Sequence, residues 1–429
     1  MTAERQCHVF IVLPGRTEFV RAGHFRLSEA DGGFPCGEFI YARNYLERTD
    51  AVELDPVELR LSPRRYRTAR LNGFFGALRD AMPDQWGRRV LDSRSPGPRL
   101  DDFSYLQRGP DDRAGALGIA EGPAPPVPRL RFRQPRDLAR LREAARAFAA
   151  ARSSGKEPAE TQARAYLPEP TSMGGARPKS VVQDGRHLFL VKFARPGDRW
   201  NFPRVEHALL RLARECGLDT ADSHIEHRGG HDMLMVRRFD REWRESGWLR
   251  HRMVSAMTIL RSEDRPGERE RWSYLRLADE IRRISACPAR DLRELFTRMC
   301  FNAAVSNLDD HPRNHALLAP GRIWRLSPAY DLNPYPVPEP HTRQLAMICG
   351  RYGRQANRAN LLSGHGRFRL PEKEAAAIFD RVAATAGARW YATMRQAGVT
   401  EPDCETISGA FLPDGLFTAG SPAPVPESR

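Results

Sequence analysis

A short polar segment follows the most regular apolar helix pattern in the chain. The stretch SNLDDHPRN, residues 306–314, contains two Asn, two adjacent Asp, a His and an Arg. Its first two residues are also the last two of LRELFTRMCFNAAVSN, whose apolar residues recur at helical spacing. Carboxylate and amide oxygens are the ligands that Mg²⁺ prefers, and a carboxylate can also accept a proton. The segment therefore predicts a polar reaction site held by a buried helix.

The spacing within this segment indicates phosphoryl transfer. Asp309 and Asn314 are five residues apart, as are the Asp and Asn of a protein-kinase catalytic loop. In that loop the Asp accepts the substrate hydroxyl proton and the Asn holds Mg²⁺. Asp331, in AYDLNP, stands beyond a short predicted hairpin, where a kinase has its second metal carboxylate. Each residue alone is typical of an ordinary turn, so the prediction depends on their order.

A lysine supplies the cation that phosphate binding requires. Only four of the 68 basic residues are Lys, namely Lys156, Lys179, Lys192 and Lys373, so a Lys in a motif indicates a need for a compact ammonium. Lys192 lies in LFLVKF, a predicted strand in which an unpaired charge would be costly to bury. Glu206, beside the apolar stripe of the next helix, is a suitable partner. This order matches the Lys–Glu ion pair of protein kinases.

The middle of the chain predicts a small lobe that would hold this lysine. KSVVQDGRHLFLVKF predicts a β-hairpin turning at Asp184 and Gly185. PRVEHALLRLAREC predicts a helix that Gly217 can end. DMLMVRRFD predicts a further strand. After residue 250 the pattern is mainly helical, interrupted by a second hairpin, HALLAPGRIWRLS, and including a helix at PEKEAAAIFDRVAATA.

The first 120 residues predict a separate mixed α/β module without a catalytic motif. Strands are expected at CHVFIVL and EFIYARNYL and a helix around LNGFFGALRDAM. A Pro-rich connector (121–135), a helix from Arg136 to about Arg152 and the loose stretch SSGKEPAETQ follow. We expect domains at 1–150 and 151–412, with lobes at about 160–245 and 246–412, and a disordered tail at 413–429.

Composition limits the class of protein. The seven Cys form no CxxC pair, so neither a zinc site nor a disulfide framework is expected. No signal peptide and no run of roughly 20 apolar residues is apparent, which predicts a cytoplasmic protein without a membrane segment. The net charge of +14 allows an anionic partner such as nucleic acid or nucleotide. A coding bias towards Arg is an equally good explanation of that charge.

Taken together, these motifs resemble the HipA family, the kinase toxins of bacterial toxin–antitoxin pairs. The resemblance is carried by TSMGGARPKS, VKF, VEHALLRLARECGL, MVRRFDR, NLDDHPRN and LSPAYDLNP, with FFGALRDAMPDQWGRRVL and DDFSYLQRGPDDRAGAL nearer the start. It implies an α+β, two-lobed HipA-like, protein-kinase-like fold, with a mixed α/β N-terminal subdomain and a mainly helical C-terminal lobe. It also implies ATP and Mg²⁺ as cofactors and serine/threonine protein kinase activity.

The resemblance further implies a role for each matching residue. Asp309 would be the catalytic base, and Asn314 and Asp331 would be the Mg²⁺ ligands. Apart from the resemblance, a His before Pro, such as His311, is more typical of a loop hydrogen-bonding group than of a catalyst, so we expect it only to orient the loop. The implied ATP contacts are Lys192, its partner Glu206, the phosphate loop of Gly174, Gly175, Ala176, Arg177 and Lys179, and the adenine hinge from Arg237 to Phe239. Ser172 would be an inhibitory autophosphorylation site.

The resemblance also implies partners, and it leaves two other functions open. Members are held inactive by a small helix-turn-helix antitoxin, HipB-like, which takes them to operator DNA. Their protein substrate is translation-related, typically an aminoacyl-tRNA synthetase. A catalytically inactive co-repressor would need the partner but no chemistry. A small-molecule phosphotransferase would share the Asp–Asn loop but would not account for the N-terminal module or Ser172.

Overall fold

The computed structural model describes residues 4–29, 33–95, 97–153, 169–336, 343–413 and 415–417. The expected tail lies outside them apart from residues 413 and 415–417, as do residues 154–162 of the predicted loose stretch. No helix in the described ranges is long and apolar enough to cross a bilayer. The described strands are β1 (Arg5–Val12), β2 (Phe19–Glu29), β3 (Pro35–Tyr41), β4 (Tyr66–Thr68), β5 (Leu117–Ala120), β6 (Lys179–Asp184), β7 (His187–Phe193), β8 (Ser223–Arg228), β9 (His231–Arg237), β10 (Arg241–Arg244), β11 (Gly247–Arg250), β12 (Arg252–Ser255), β13 (Ala316–Ala319) and β14 (Arg325–Leu326).

The two longest of the described α-helices lie in the second half of the chain. The described α-helices are α1 (Arg43–Leu46), α2 (Gly76–Asp80), α3 (Gln85–Arg94), α4 (Asp102–Arg108), α5 (Leu138–Ser153), α6 (Phe202–Glu215), α7 (Ala256–Ile259), α8 (Tyr274–Ile284), α9 (Pro288–Ala304), α10 (Arg358–Ser363), α11 (Glu372–Gln396) and α12 (Glu401–Ile407). The predicted α+β class, with its mainly helical C-terminal lobe, is confirmed.

The N-terminal module is built on an antiparallel sheet in the order β4-β3-β2-β1-β5. The predicted strand at CHVFIVL is confirmed by β1. The strand predicted over EFIYARNYL is wrong beyond Tyr41, because the chain turns into α1. There the ring of Tyr45 stacks on Tyr41 at 5.8 Å and its hydroxyl donates to the Val52 carbonyl at 2.6 Å. These tertiary contacts override the local alternation.

The helix predicted around LNGFFGALRDAM is mostly wrong. Only α2 is α-helical, because Leu71, Asn72 and Gly73 have φ values of 51°, 56° and 83°. An α-helix cannot include such left-handed residues. The turn passes very close to β3, since a Cβ on Gly37 would lie 1.7 Å from the Gly73 carbonyl oxygen.

The small lobe follows the sequence prediction closely. β6 and β7 form the predicted hairpin in a sheet of order β6-β7-β9-β8. Gly185 occupies the turn with φ 56°. The predicted helix is α6, which Gly217 ends at φ 93°. The strand predicted over residues 232–240 ends at Arg237, because Arg238 enters a buried ion network.

The helical lobe carries the segment of interest at the end of α9. That helix is buried along most of its length and stops at Ala304, three residues before the predicted end, because Ser306 adopts φ 48°. The second hairpin is confirmed by β13 and β14, and β12 completes this sheet. One continuous apolar cluster runs from Cys7 through α9 to Leu416, so the N-terminal module and the helical lobe share a core.

Candidate active site

One cleft of about 790 Å³ lies between the small lobe, the helical lobe and the N-terminal module. Every site residue predicted from the sequence lines it: Ser172, Gly174, Gly175, Ala176, Arg177, Lys179, Lys192, Glu206, Arg237, Phe239, Asp309, His311, Asn314 and Asp331. These residues come from segments up to about 160 positions apart in the sequence. The fold therefore places in one cleft the residues whose order along the chain was all that the sequence could give. We call this space the cleft below.

Lys192 forms ion pairs with two carboxylates in the cleft. Its Nζ lies 2.6 Å from Glu206 Oε1 and 2.5 Å from Asp331 Oδ1. Burial would lower the pKa of the Lys192 ammonium, but the Asp331 and Glu206 carboxylates outweigh burial and raise it. Burial raises the pKa of Glu206, and Lys192 opposes that rise. Lys192 thus stays charged and joins β7, α6 and the segment that carries Asp331.

The polar segment after α9 presents Asp309 to the cleft. The Asn314 side-chain amide donates to the Asp309 carbonyl at 3.2 Å, which leaves its own oxygen available to a cation. The Tyr335 hydroxyl lies 3.5 Å from Asp309 Oδ2. Burial, and then the negative charge of Asp331, raise the pKa of Asp309. A raised pKa makes this carboxylate a stronger proton acceptor once it is ionised.

Asp310, next in the chain, has a different environment. Its Oδ1 lies 2.8 Å from His315 Nε2, and both side chains are buried. His311 lies between the two environments: its Nδ1 accepts from the Arg313 amide at 3.1 Å, and its ring packs against Trp272 at 4.3 Å. The two adjacent Asp of the motif therefore divide into one that faces the cleft and one that stabilises the segment. The spacing to Asn314 singled out Asp309 in the sequence, whereas the structural role of Asp310 was not predicted.

The glycine-rich loop enters β6 beneath the cleft. Gly174 and Gly175 have φ values of 80° and 85°, a region that L side chains rarely adopt. Lys179 Nζ donates to the Gly174 carbonyl and forms an ion pair with Asp84 Oδ2 at 3.3 Å. The Ser172 hydroxyl accepts from the Ala114 amide at 2.5 Å. The loop is therefore held partly by residues of the N-terminal module.

Two further predicted residues flank the loop and the hinge. Arg177 forms an ion pair with Asp198 at 2.9 Å and lies 3.5 Å above the Phe202 ring. Phe239 packs against Tyr330 with ring centroids 5.7 Å apart.

The hinge is anchored from both sides. Arg237 is exposed and lies 3.7 Å from Asp222. Arg238, between Arg237 and Phe239, is buried and donates to both Asp240 and Asp112. This network fixes the end of β9 to the N-terminal module.

The contribution of the N-terminal module to the cleft was missed from the sequence. Arg79, Asp80, Asp84 and Arg88 all line it. Asp80 accepts from the amide and hydroxyl of Ser255, both at 2.7 Å. No spacing rule connects these residues to the kinase-like motifs. For Asp84 and Arg88, the signal that could have found them is AMPDQWGRR, a polar run following apolar residues in a module that otherwise lacked a site.

Two family models match the chain. The model of the HipA N-terminal domain matches residues 18–120, and that of the HipA-like C-terminal domain matches residues 171–390. The second match alone covers more than half of the chain and contains every predicted site residue.

Relatives and a solved structure agree with these models. A Sinorhizobium fredii protein named "Putative kinase Y4mE" is 28% identical over 315 residues, which cover 68% of this chain and 71% of that protein. A Haemophilus influenzae protein named "Putative kinase" is 27% identical over 168 residues, covering 37% and 48%. A HipA structure from a Shewanella oneidensis complex with HipB and operator DNA superposes with a TM-score of 0.62 at 17% identity, covering 93% of this chain and 95% of that chain. At that identity it establishes the fold.

Proposed function

This chain is a member of the HipA family, and we propose that it is an ATP-dependent kinase that phosphorylates a serine or threonine of a protein. The observation that carries the proposal is the ammonium of Lys192, held within 2.6 Å of Glu206 and 2.5 Å of Asp331 at the centre of the cleft. Phosphoryl transfer depends on positioning and charge neutralisation rather than covalent chemistry. A rigidly held cation beside oxygen ligands meets that need.

ATP would lie between the small lobe and the polar segment. Lys192 would contact the α- and β-phosphates, with Glu206 fixing its direction. The loop of residues 174–179 would cover the phosphates, because its left-handed glycines allow close approach of the backbone. The hinge from Arg237 to Phe239 would receive the adenine.

Asp309 would act as the base for the acceptor hydroxyl, and its raised pKa suits that role. Asn314 and Asp331 would hold Mg²⁺, which neutralises phosphate charge when bound. The donor set fits this ion, since Mg²⁺ is usually held by one or two protein carboxylates together with substrate phosphates and water. His311 would orient the loop.

Ser172 would regulate the enzyme through autophosphorylation. Its hydroxyl accepts a hydrogen bond from the Ala114 amide at 2.5 Å, which holds it against the N-terminal module. A phosphate there would add roughly −1.5 to −2 charges and three oxygens. That group cannot occupy the same position, so the loop would leave its place over ATP.

The proposed partners follow from the family and from the structural neighbour. A HipB-like helix-turn-helix antitoxin would hold the kinase inactive and take it to operator DNA, and the net charge of +14 suits such an assembly. The substrate would be a cytoplasmic, translation-related protein such as an aminoacyl-tRNA synthetase. The division into an N-terminal module ending near residue 150 and a kinase domain belongs to the same proposal.

The test is transfer of label from γ-labelled ATP. Purified protein is incubated with Mg²⁺ and cell lysate, beside Asp309→Asn and a control, Asp380→Asn, on the surface of α11. The proposal expects labelled protein with the wild type and the control but not with Asp309→Asn. Label on small metabolites alone would favour a small-molecule phosphotransferase. An absence of label everywhere would favour the co-repressor.

A further inference from the structure

Asp84 immediately precedes α3, in the N-terminal module, where it contacts the loop expected to cover the ATP phosphates. We propose that Asp84 is a positioning residue for the kinase reaction: through Lys179 it fixes the shape of that loop, so that ATP binding depends on the N-terminal module. This inference rests on the proposed function. It gives the N-terminal module, which lacks a catalytic motif, a role in ATP binding.

The Asp84 carboxylate joins the helix to the loop. Its Oδ1 accepts from the Gly87 amide at 2.8 Å and thereby caps α3. Its Oδ2 receives the Thr171 hydroxyl at 2.8 Å and Lys179 Nζ at 3.3 Å. The Lys179 and Asp84 side chains are only 3% and 4% exposed. Water therefore cannot replace this carboxylate, and removing it would leave a buried ammonium without a counter-charge.

Lys179 transmits that contact to the turn of the loop. Its Nζ donates to the Gly174 carbonyl, so the same ammonium touches Asp84 on one side and the turn on the other. The fit is close, because a Cβ on Gly175 would lie 3.0 Å from that nitrogen. The position of Nζ therefore sets how far the turn rises towards the cleft.

Backbone contacts reinforce the link at both ends of the loop. The Asp84 amide donates to the Thr171 carbonyl at 2.8 Å, and the Trp86 indole donates to the Lys179 carbonyl at 3.1 Å. Gly87 packs so tightly that a Cβ there would lie 2.5 Å from the Thr171 carbonyl oxygen. The start of α3 thus contacts residues 171 and 179, which lie at the two ends of the loop. A shift of α3 would therefore move both ends.

The inference is tested by the kinetics of Asp84→Asn and Asp84→Ser. Asn and Ser both cap helices well, so α3 should persist in each variant. A loop that grips phosphates equally before and during transfer affects KM rather than kcat. We expect KM for ATP to rise about tenfold, with kcat changed by less than about threefold. The matched control is Asp101→Asn, since Asp101 caps α4 and pairs with Arg5 but lies away from the loop.

A second comparison separates positioning from simple loss of stability. In a Lys179→Met background, removing the Asp84 charge should change KM by less than about twofold, because the two residues act as one unit. A wild-type KM in both Asp84 variants, or an equal rise in both backgrounds, would overturn the inference. A rise in KM that merely tracks a lower melting temperature, and that Asp101→Asn reproduces, would do the same. Wild-type protein that transfers no label would instead count against the proposed function, and this is seen before any variant is made.

Discussion

Replacing Lys192 with Met probes the charge cluster at the centre of the cleft. The substitution keeps the length of the side chain but removes the cation between Glu206 and Asp331. The Glu206 side chain is only 6% exposed, whereas that of Asp331 is 37% exposed. Glu206 therefore becomes the uncompensated buried charge, and loss of one partner from a buried pair costs ~3–5 kcal/mol.

Glu206 can reduce this cost by binding a proton, which makes the loss depend on pH. Keeping an ordinary glutamic acid protonated costs about 3.7 kcal/mol at pH 7 and about 1.6 kcal/mol at pH 5.5. The variant should thus lose up to about 3.7 kcal/mol of unfolding free energy at pH 7 and about 2 kcal/mol less at pH 5.5. The sign follows from linkage: the folded variant binds a proton that the unfolded chain releases, so stability falls as pH rises.

Urea unfolding at both pH values, with EDTA and without nucleotide, measures this difference. Lys192→Met combined with Glu206→Gln should recover most of the stability at pH 7, since no buried charge remains, yet it should not recover ATP binding. Lys373→Met, on the exposed face of α11, is the matched control and should change stability by less than about 0.5 kcal/mol. A loss below about 1 kcal/mol at pH 7, or a loss equal at both pH values, would refute the account of the cluster.

Three further predictions concern the loops of the cleft. Asp309→Asn should lower phosphoryl transfer at least ~10²-fold while ATP binding, measured by calorimetry, persists; normal transfer would remove the proposed base. Gly175→Ala places a side chain at φ 85°, which costs ~1–2 kcal/mol in that conformation. The free loop can relax this strain but the nucleotide-bound loop cannot, so the Kd for ATP should rise about 5–30-fold, and an unaltered Kd would show that the loop does not hold the nucleotide. Asp310→Asn should weaken the contact with His315 and lower the free energy of unfolding by about 2 kcal/mol. Its transfer rate per folded molecule should nevertheless stay well above that of Asp309→Asn. Equal inactivity of the two variants would contradict the different roles given to these adjacent carboxylates.

The residues of the small lobe and the polar segment could be predicted because their signals are local. Two apolar, β-branched-rich runs around a Gly turn and an amphipathic helix can be recognised locally, and they place Lys192 and Glu206 on adjoining elements. Asp309 and Asn314 could be identified because a kinase loop has a fixed spacing. The sequence could order these residues along the chain. Their convergence to within 2.5 Å, as for Lys192 and Asp331, depends on the packing of the two lobes.

The N-terminal module was harder to predict because its structure depends on distant contacts. The contacts of the Tyr45 ring and hydroxyl stabilise α1 in a segment whose sequence predicts a strand. The close packing of Gly37 against Gly73 accompanies a left-handed turn in a segment whose sequence predicts a helix. Asp84 gave no sign of a partner at residue 179, since ion pairs across 95 positions leave no periodicity. Such long-range contacts determine the shape of the module and which of its residues line the cleft.

A crystal structure with Mg²⁺ and a non-hydrolysable ATP analogue would show whether the nucleotide occupies the cleft. We expect the phosphates against Lys192 and beneath the loop of residues 174–179, the metal on Asn314 and Asp331, and the terminal phosphate facing Asp309. An analogue bound elsewhere, or a cleft that stays empty at saturating concentration, would contradict this expectation.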